Sequence, residues 1–173
     1  AASLNGLGVV GVAPNVKIMA LKFLDDGPVC GETSMALEAI AYAKSFGVVI
    51  SNNSWGGRGP LADFQPLYDA IRDSGMLFII SAGNNGIDND TDPSPAYPAT
   101  FDLPNIVSVA AADRNGGLAD FSNFGRTTVD IAAGDYVFRV KGTVPKFAGW
   151  MATYGLTPGG ESPDAPEKAE GDE

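Results

Sequence analysis

Met76-Leu77-Phe78-Ile79-Ile80, closed by Ser81-Ala82-Gly83-Asn84, is the stretch that decides the fold. An unbroken apolar run without alternation is what a strand covered on both faces needs, and strands are covered on both faces in parallel sheets. Just upstream, Phe64, Leu67, Tyr68 and Ile71 recur at helical spacing, with Gly75 beyond the helix end. Before that helix, Val48-Val49-Ile50 begins a buried strand, and Gly47 closes an earlier helix carrying Ala36, Ala39, Ile40 and Ala43 on one face. Thr33 or Ser34 is placed to cap that earlier helix. Val16 to Leu24 is strand-like and is broken by Asp25-Asp26-Gly27-Pro28. Downstream, Ile106 to Ala112 and Thr128 to Ala132 supply two more short strands. Strand–helix–strand repetition of this kind predicts an α/β fold, a parallel sheet joined by right-handed crossovers.

Composition narrows what such a fold can do. The 173 residues suffice for one domain, and a hydrophobic fraction of 45% excludes wholesale disorder. With 21 acidic against 11 basic residues the net charge is -10, which disfavours nucleic acid and anionic membrane as partners. No apolar run is long enough to cross a bilayer, and no cleavable signal opens the chain. The opening Ala1-Ala2-Ser3 reads as mid-domain sequence. A single cysteine, Cys30, permits no internal disulfide. There is no histidine, so no imidazole base, proton shuttle or metal ligand lies within this sequence.

Six short motifs carry a resemblance. Gly11-Val12-Ala13-Pro14 precedes the first strand, followed by Ser54-Trp55-Gly56-Gly57, Ser81-Ala82-Gly83-Asn84 and Tyr97-Pro98-Ala99. Phe121-Ser122-Asn123-Phe124-Gly125 and Val129-Asp130-Ile131-Ala132-Ala133 complete the set. In this order and spacing, over roughly residues 3–133, they resemble the subtilisin-like serine proteases. The resemblance implies a parallel sheet with helices on both faces, here incomplete. It makes Ser54, Trp55 and Gly56 a substrate-binding strand, places Ala82, Gly83 and Ala96 among the substrate-binding residues, and makes Asn84 an oxyanion donor. Read on residue type alone, Asn84 and Asn85 are turn residues tolerant of left-handed backbone. An amide at the carboxyl end of a parallel strand nonetheless sits where open α/β sheets bind ligands, and it can donate to an oxygen gaining charge. Peptide or protein is then the implied partner, and an extracellular location is implied by the family alone.

That family acts through a serine nucleophile, a histidine base and an orienting aspartate. In family order, the aspartate and histidine precede Ala1 and the serine follows Ala133, so the chain is expected to be inactive alone. Gly31-Glu32-Thr33-Ser34-Met35-Ala36 imitates the nucleophile motif, but it precedes Asn84 and is assigned to helix capping. Gly149-Trp150-Met151-Ala152 lies nearer the right place and has tryptophan where serine is required.

The resemblance also offers two cation sites. Asn5 matches a tight calcium loop whose other ligands are missing here, while Asp130 with the carbonyls of Pro104 and Ile106 matches a weaker one. Oxygen donors of this kind suit calcium. Asp88, Asp90 and Asp92 alternate as calcium loops do but lack the glycine and closing glutamate, and are assigned to a solvated loop.

Beyond the core fragment at 1–133, residues 134–157 are expected to be divergent or foreign. Phe138-Arg139-Val140-Lys141-Gly142-Thr143-Val144, with Lys146, Phe147, Gly149 and Tyr154, resembles a stretch of type IA DNA topoisomerases without any of their catalytic residues. Residues 158–173 are rich in Gly, Pro, Glu and Asp and are expected to form a disordered acidic tail. Missing outer elements would leave core faces uncovered and open to self-association.

Overall fold

The computed structural model describes residues 13, 15–24, 31–113, 115–134 and 139–140. Asn5, Cys30, Trp150 and the acidic tail lie outside them. Helix α1 spans Thr33–Ser45 and buries Ala36, Ile40 and Ala43, the predicted face, while Ala39 is half-buried. Its end is closed by Gly47 at φ +69, with Gly47 N donating to Lys44 O (3.0 Å) and Val48 N to Ala43 O (3.2 Å). A residue in the left-handed region satisfies the last carbonyls at low cost only when it is glycine. At the other end Glu32 is the N-cap and no side chain caps the helix. Ser34 is therefore not the cap the pattern predicts. It lies inside the first turn, and its hydroxyl donates to Glu32 Oε2 at 3.3 Å.

Strand β1 (Ile50–Asn53) follows, then the two-residue strand β2 (Gly57–Arg58). A 3-10 turn over Leu61–Phe64 leads into helix α2 (Gln65–Arg72), which buries Leu67 and Ile71. The deciding stretch becomes β3 (Leu77–Ser81). Then come β4 (Ala96–Tyr97), β5 (Ile106–Ala111), β6 (Ile131–Ala133) and β7 (Arg139–Val140). The main sheet runs β1-β3-β5-β6-β7, parallel except where β7 lies antiparallel on β6, and β2 pairs antiparallel with β4 in a separate ribbon. Register sets Phe78 beside Ile106 and Ile80 beside Ser108. This is the α/β architecture that the strand–helix rhythm predicts.

One apolar cluster unites the helices with the sheet: Ala36, Ile40, Leu67 and Ile71 meet Phe78, Ile80, Phe101 and Ile106. The next positions along β3, β5 and β6 point the other way, and Ile79, Val109 and Ile131 are only half-buried. Two expectations change here. Val16 to Leu24 joins no strand among the described residues, and Val16 and Ile18 stand 56% and 73% exposed. Apolar, β-branched sequence makes a strand only beside a neighbour that takes its backbone hydrogen bonds, and no described residue does so. The strand begun by Val48-Val49-Ile50 is not buried either. It starts at Ile50 on the sheet edge, where Ile50 is 55% exposed.

Candidate peptide-binding cleft

The carboxyl ends of β1 and β3 meet the β2–β4 ribbon around a cleft of about 310 Å³. Ser54, Trp55, Gly56, Gly83, Asn84 and Ala96, singled out at distant points of the sequence, all line it. Ala82 lies beneath the wall instead, 1% exposed, with its N–H on Val109 O (2.8 Å) and its carbonyl taken by Asn89 Nδ2 (2.9 Å). Arg58 and Asn85 also line the cleft, and nothing in their motifs marks them.

Each wall has a local cause. Trp55 is half-buried and oriented from two sides: its Nε1 donates to Asn53 Oδ1 at 3.1 Å, and Phe23 meets it edge-on at 5.0 Å. At Gly56 a Cβ would stand 2.6 Å from Tyr97 O, so only glycine lets β2 approach β4 this closely. Tyr97 stacks between Phe64 and Phe101, with centroids 5.0 Å from each, and burial pushes its hydroxyl pKa up. Arg58 donates from Nε to Ser94 O (2.7 Å) and pairs with Asp92 (2.8 Å), which occupies its charge at the rim.

The Asn84 loop is stitched to a second chain segment. Gly86 N donates to Phe121 O, Phe124 N to Ile87 O and Asn89 N to Phe124 O, at 2.7–3.0 Å. Asp90 completes the seam, accepting the amides of Arg126, Thr127 and Thr128 and the Thr128 hydroxyl at 2.7–3.0 Å. Burial pushes its carboxyl up, but the hydrogen bonds of Thr128 and Thr127 outweigh that and hold its pKa down to about 2. Asp88 and Asp92 are engaged likewise, by Asp90 N and Thr91 and by Ser94 N and Arg58. The three aspartates thus build the loop through hydrogen bonds, with Asp88 and Asp92 half-buried.

A second hollow of about 270 Å³ adjoins the first, sharing Ser54 and Ser81 and bounded by Asn52, Ile79, Val109 and Ala133. Both open at the carboxyl ends of parallel strands, the ligand-binding end of such sheets. Asp130 sits at the entry to β6, its N–H on Ser108 O (3.0 Å) and its Oδ2 accepting Ser108 N (2.8 Å). Pro104 is exposed before β5 and Ile106 is buried as its first residue. The Asp130 carboxylate is half-buried, and oxygen donors are the type that calcium takes.

Asp73-Ser74-Gly75 has the form of an aspartate motif that family members carry. It lies at the amino end of β3, opposite the cleft, and it ends α2. Asp73 is the C-cap and pairs with Arg72 at 2.7 Å, while the Ser74 hydroxyl donates to Ile71 O at 2.8 Å.

The cleft opens at the carboxyl edge of an open α/β sheet, and comparison with known proteins gives the class. The chain belongs to the subtilase family, peptidase S8, whose profile matches residues 1–152. It is 38% identical over 133 residues to subtilisin-like protease 2 of Plasmodium falciparum, covering 75% of this chain and 10% of that one. With fervidolysin of Fervidobacterium pennivorans it shares 31% over 150 residues, covering 84% and 21%. Among solved structures, the psychrophilic subtilisin-like protease Apa1 of Pseudoalteromonas sp. AS-11 superposes with a TM-score of 0.62 at 31% identity, covering 79% and 30%. The chain thus spans between a tenth and under a third of these relatives' lengths. Its relatives are proteases, and among the described residues no helix is long and apolar enough to cross a membrane.

Proposed function

We propose that this chain is the substrate-binding part of a subtilisin-like serine endopeptidase, contributing the peptide cleft and the oxyanion donor Asn84 but not the triad. The observation that supports this most is the convergence of Ser54, Gly56, Gly83, Asn84 and Ala96 on one cleft. An extended peptide lies along the Ser54–Gly57 segment at the cleft wall, pairing through main-chain hydrogen bonds. When a serine attacks the scissile carbonyl, its oxygen gains the electron pair of the broken π bond. The Asn84 amide donates to that oxygen, and a fixed dipole there lowers the barrier because it need not reorganise. The attacking serine and its base belong to segments seated in the adjoining hollow beside Ser54 and Ser81. With no histidine in the sequence, the chain alone leaves the serine-to-histidine proton transfer without an acceptor.

Two measurements test this. The purified chain is expected to hydrolyse casein and peptide esters at background rate, since cleft and oxyanion donor leave at most ~10³-fold over water. Turnover blocked by a fluorophosphonate would refute it. The second restores activity by fusing an Asp- and His-bearing segment before Ala1 and a Ser-bearing one after Ala133. Asn84→Ala should then lower kcat by ~10²–10³ with KM nearly unchanged, a magnitude established on subtilisin itself. Full kcat in that variant means the cleft is misplaced.

A second reading is non-catalytic peptide binding, favoured by a formed cleft in a sequence without histidine. It predicts that an extended peptide shifts Trp55 emission with no product formed. The same family reading places calcium at Asp130 with the Pro104 and Ile106 carbonyls, binding at ~10⁻⁴–10⁻³ M, and none tightly at Asn5. Calorimetry showing micromolar affinity that survives Asp130→Ala would move the site. An extracellular setting belongs to this reading as well. So does self-association through the half-exposed face of Ile50, Ile79 and Val109, which a monodisperse monomer in sedimentation velocity contradicts.

A further inference from the structure

The side chain of Asn123 is 0% exposed and that of Asn89 2%, and neither touches the cleft. Buried amides are costly unless every polar atom is matched, and here they are matched in one direction only. Asn123 Oδ1 accepts the Asn85 amide at 2.7 Å and the Ile87 amide at 3.4 Å. Asn123 Nδ2 donates to Asn89 Oδ1 at 3.2 Å, and Asn89 Nδ2 donates to Ala82 O at 2.9 Å. Ala96 N donates to that same Asn89 oxygen at 3.4 Å. Backbone groups of fixed polarity stand at both ends, so neither amide can turn over without losing bonds. The main chain of Asn123 adds a further tie, its N–H donating to Gly83 O at 2.9 Å. Gly83 and Asn85, the residues on either side of Asn84, are thus both held by one residue 38 positions from Asn85.

We propose that Asn123, braced by Asn89, is the positioning residue of the Asn84 loop, fixing where the Asn84 amide points relative to the Ala96 wall. The functional value of that placement rests on the oxyanion reading of Asn84, but the placement itself is measurable without turnover. Asn89 supplies the second constraint, since its amide ties the loop base at Ala82 to Ala96 behind the cleft lining. A donor must meet the developing oxygen at hydrogen-bond distance, so a loop free to drift would lose that alignment first.

The test uses nitrogen-resolved NMR on this chain. In Asn123→Ala, the Asn85 and Ile87 amides should exchange with solvent about tenfold faster or more, while Leu77 and Phe78 in the sheet keep their rates. The Asn84 side-chain NH₂ signals should shift in the same sample. Asn123→Asp keeps the accepting oxygen but loses the donor to Asn89, so Asn85 should stay at least about threefold better protected than in the alanine variant; this variant decides the matter if the alanine form does not fold. A uniform acceleration of all four amides overturns the proposal, because a residue that merely stabilises the fold acts on all of them alike. Unmoved Asn84 signals in Asn123→Ala, or an aspartate variant as exposed at Asn85 as the alanine one, overturn it too. None of these readouts involves kcat, so failure here leaves the Asn84→Ala experiment intact, and failure there leaves the clamp standing.

Discussion

Where α1 and α2 meet the first residues of β3 and β5, position is set by apolar contact: Leu67, Ile71, Phe78 and Ile106 are each no more than 1% exposed. Between residues 82 and 92 almost no apolar side chain is buried, and position is set by hydrogen bonds to the 121–128 segment and by the two buried amides. Apolar packing is non-directional and spreads its contribution over many contacts. Amide bonding is directional and concentrated, so a single atom changed in the loop moves the loop while the core stays as it was. The second kind of rigidity suits a loop that holds one side chain in one direction.

That contrast can be broken in graded ways. Phe78→Ala should have the largest effect, about 3–5 kcal/mol of global stability, because it opens a cavity at the centre of the helical half. Urea unfolding reads it, and every probe should move together. Gly83→Ala comes next, at about 1–3 kcal/mol. Its φ is +114, and an added Cβ would collide with the Asn123 amide. Here the disturbance should be local, with Asn85 exchange rising more than Phe78 exchange. If the two amides rise equally, core and loop are one unit and the contrast fails.

Asp90 gives a pH version of the same test. Its pKa is held down to about 2, below the ordinary carboxylate value, so the unfolded chain binds a proton more readily than the folded one. The stability it lends is complete above pH 4 or so and is lost as pH falls through about 2. Thr128 amide protection should therefore persist at pH 3 and fade near pH 2, whereas Asp90→Asn should weaken it at pH 7. Protection at Thr128 that fades near pH 4 would deny Asp90 that part. Arg58→Ala should matter least, at no more than about 1 kcal/mol, since Arg58 and Asp92 form a partly exposed pair.

Legibility in the sequence divides along the same line. The core could be read because apolar periodicity is a local signal: Leu67 and Ile71 on α2, and the whole of β3, fall where the pattern puts them. Periodicity does not say which strand has a neighbour, so Val16 to Leu24 reads as strand-like but joins no strand among the described residues, and Ile50 reads as buried but is exposed. β6 begins at Ile131, three residues later than expected, because Asp130 spends its backbone and carboxylate on Ser108. The cleft was legible only through motif order, as Ser54, Asn84 and Ala96 share no periodicity. Asn123 was legible only as one member of the Phe121–Gly125 motif, without a role, and Asn89 not at all. In sequence each looks like a turn residue, and the partner that gives each its meaning is 34 positions away.

The strand order has a consequence in time. β1, β3, β5 and β6 lie side by side in the order in which they are made. Each new parallel strand therefore finds the edge of its predecessor already emerged, and the sheet can lengthen behind a moving ribosome without waiting for later sequence. The Asn84 loop cannot follow that schedule. Its anchor at Asn123 emerges 39 residues after it, so the scaffold is laid down first and the loop is fixed last.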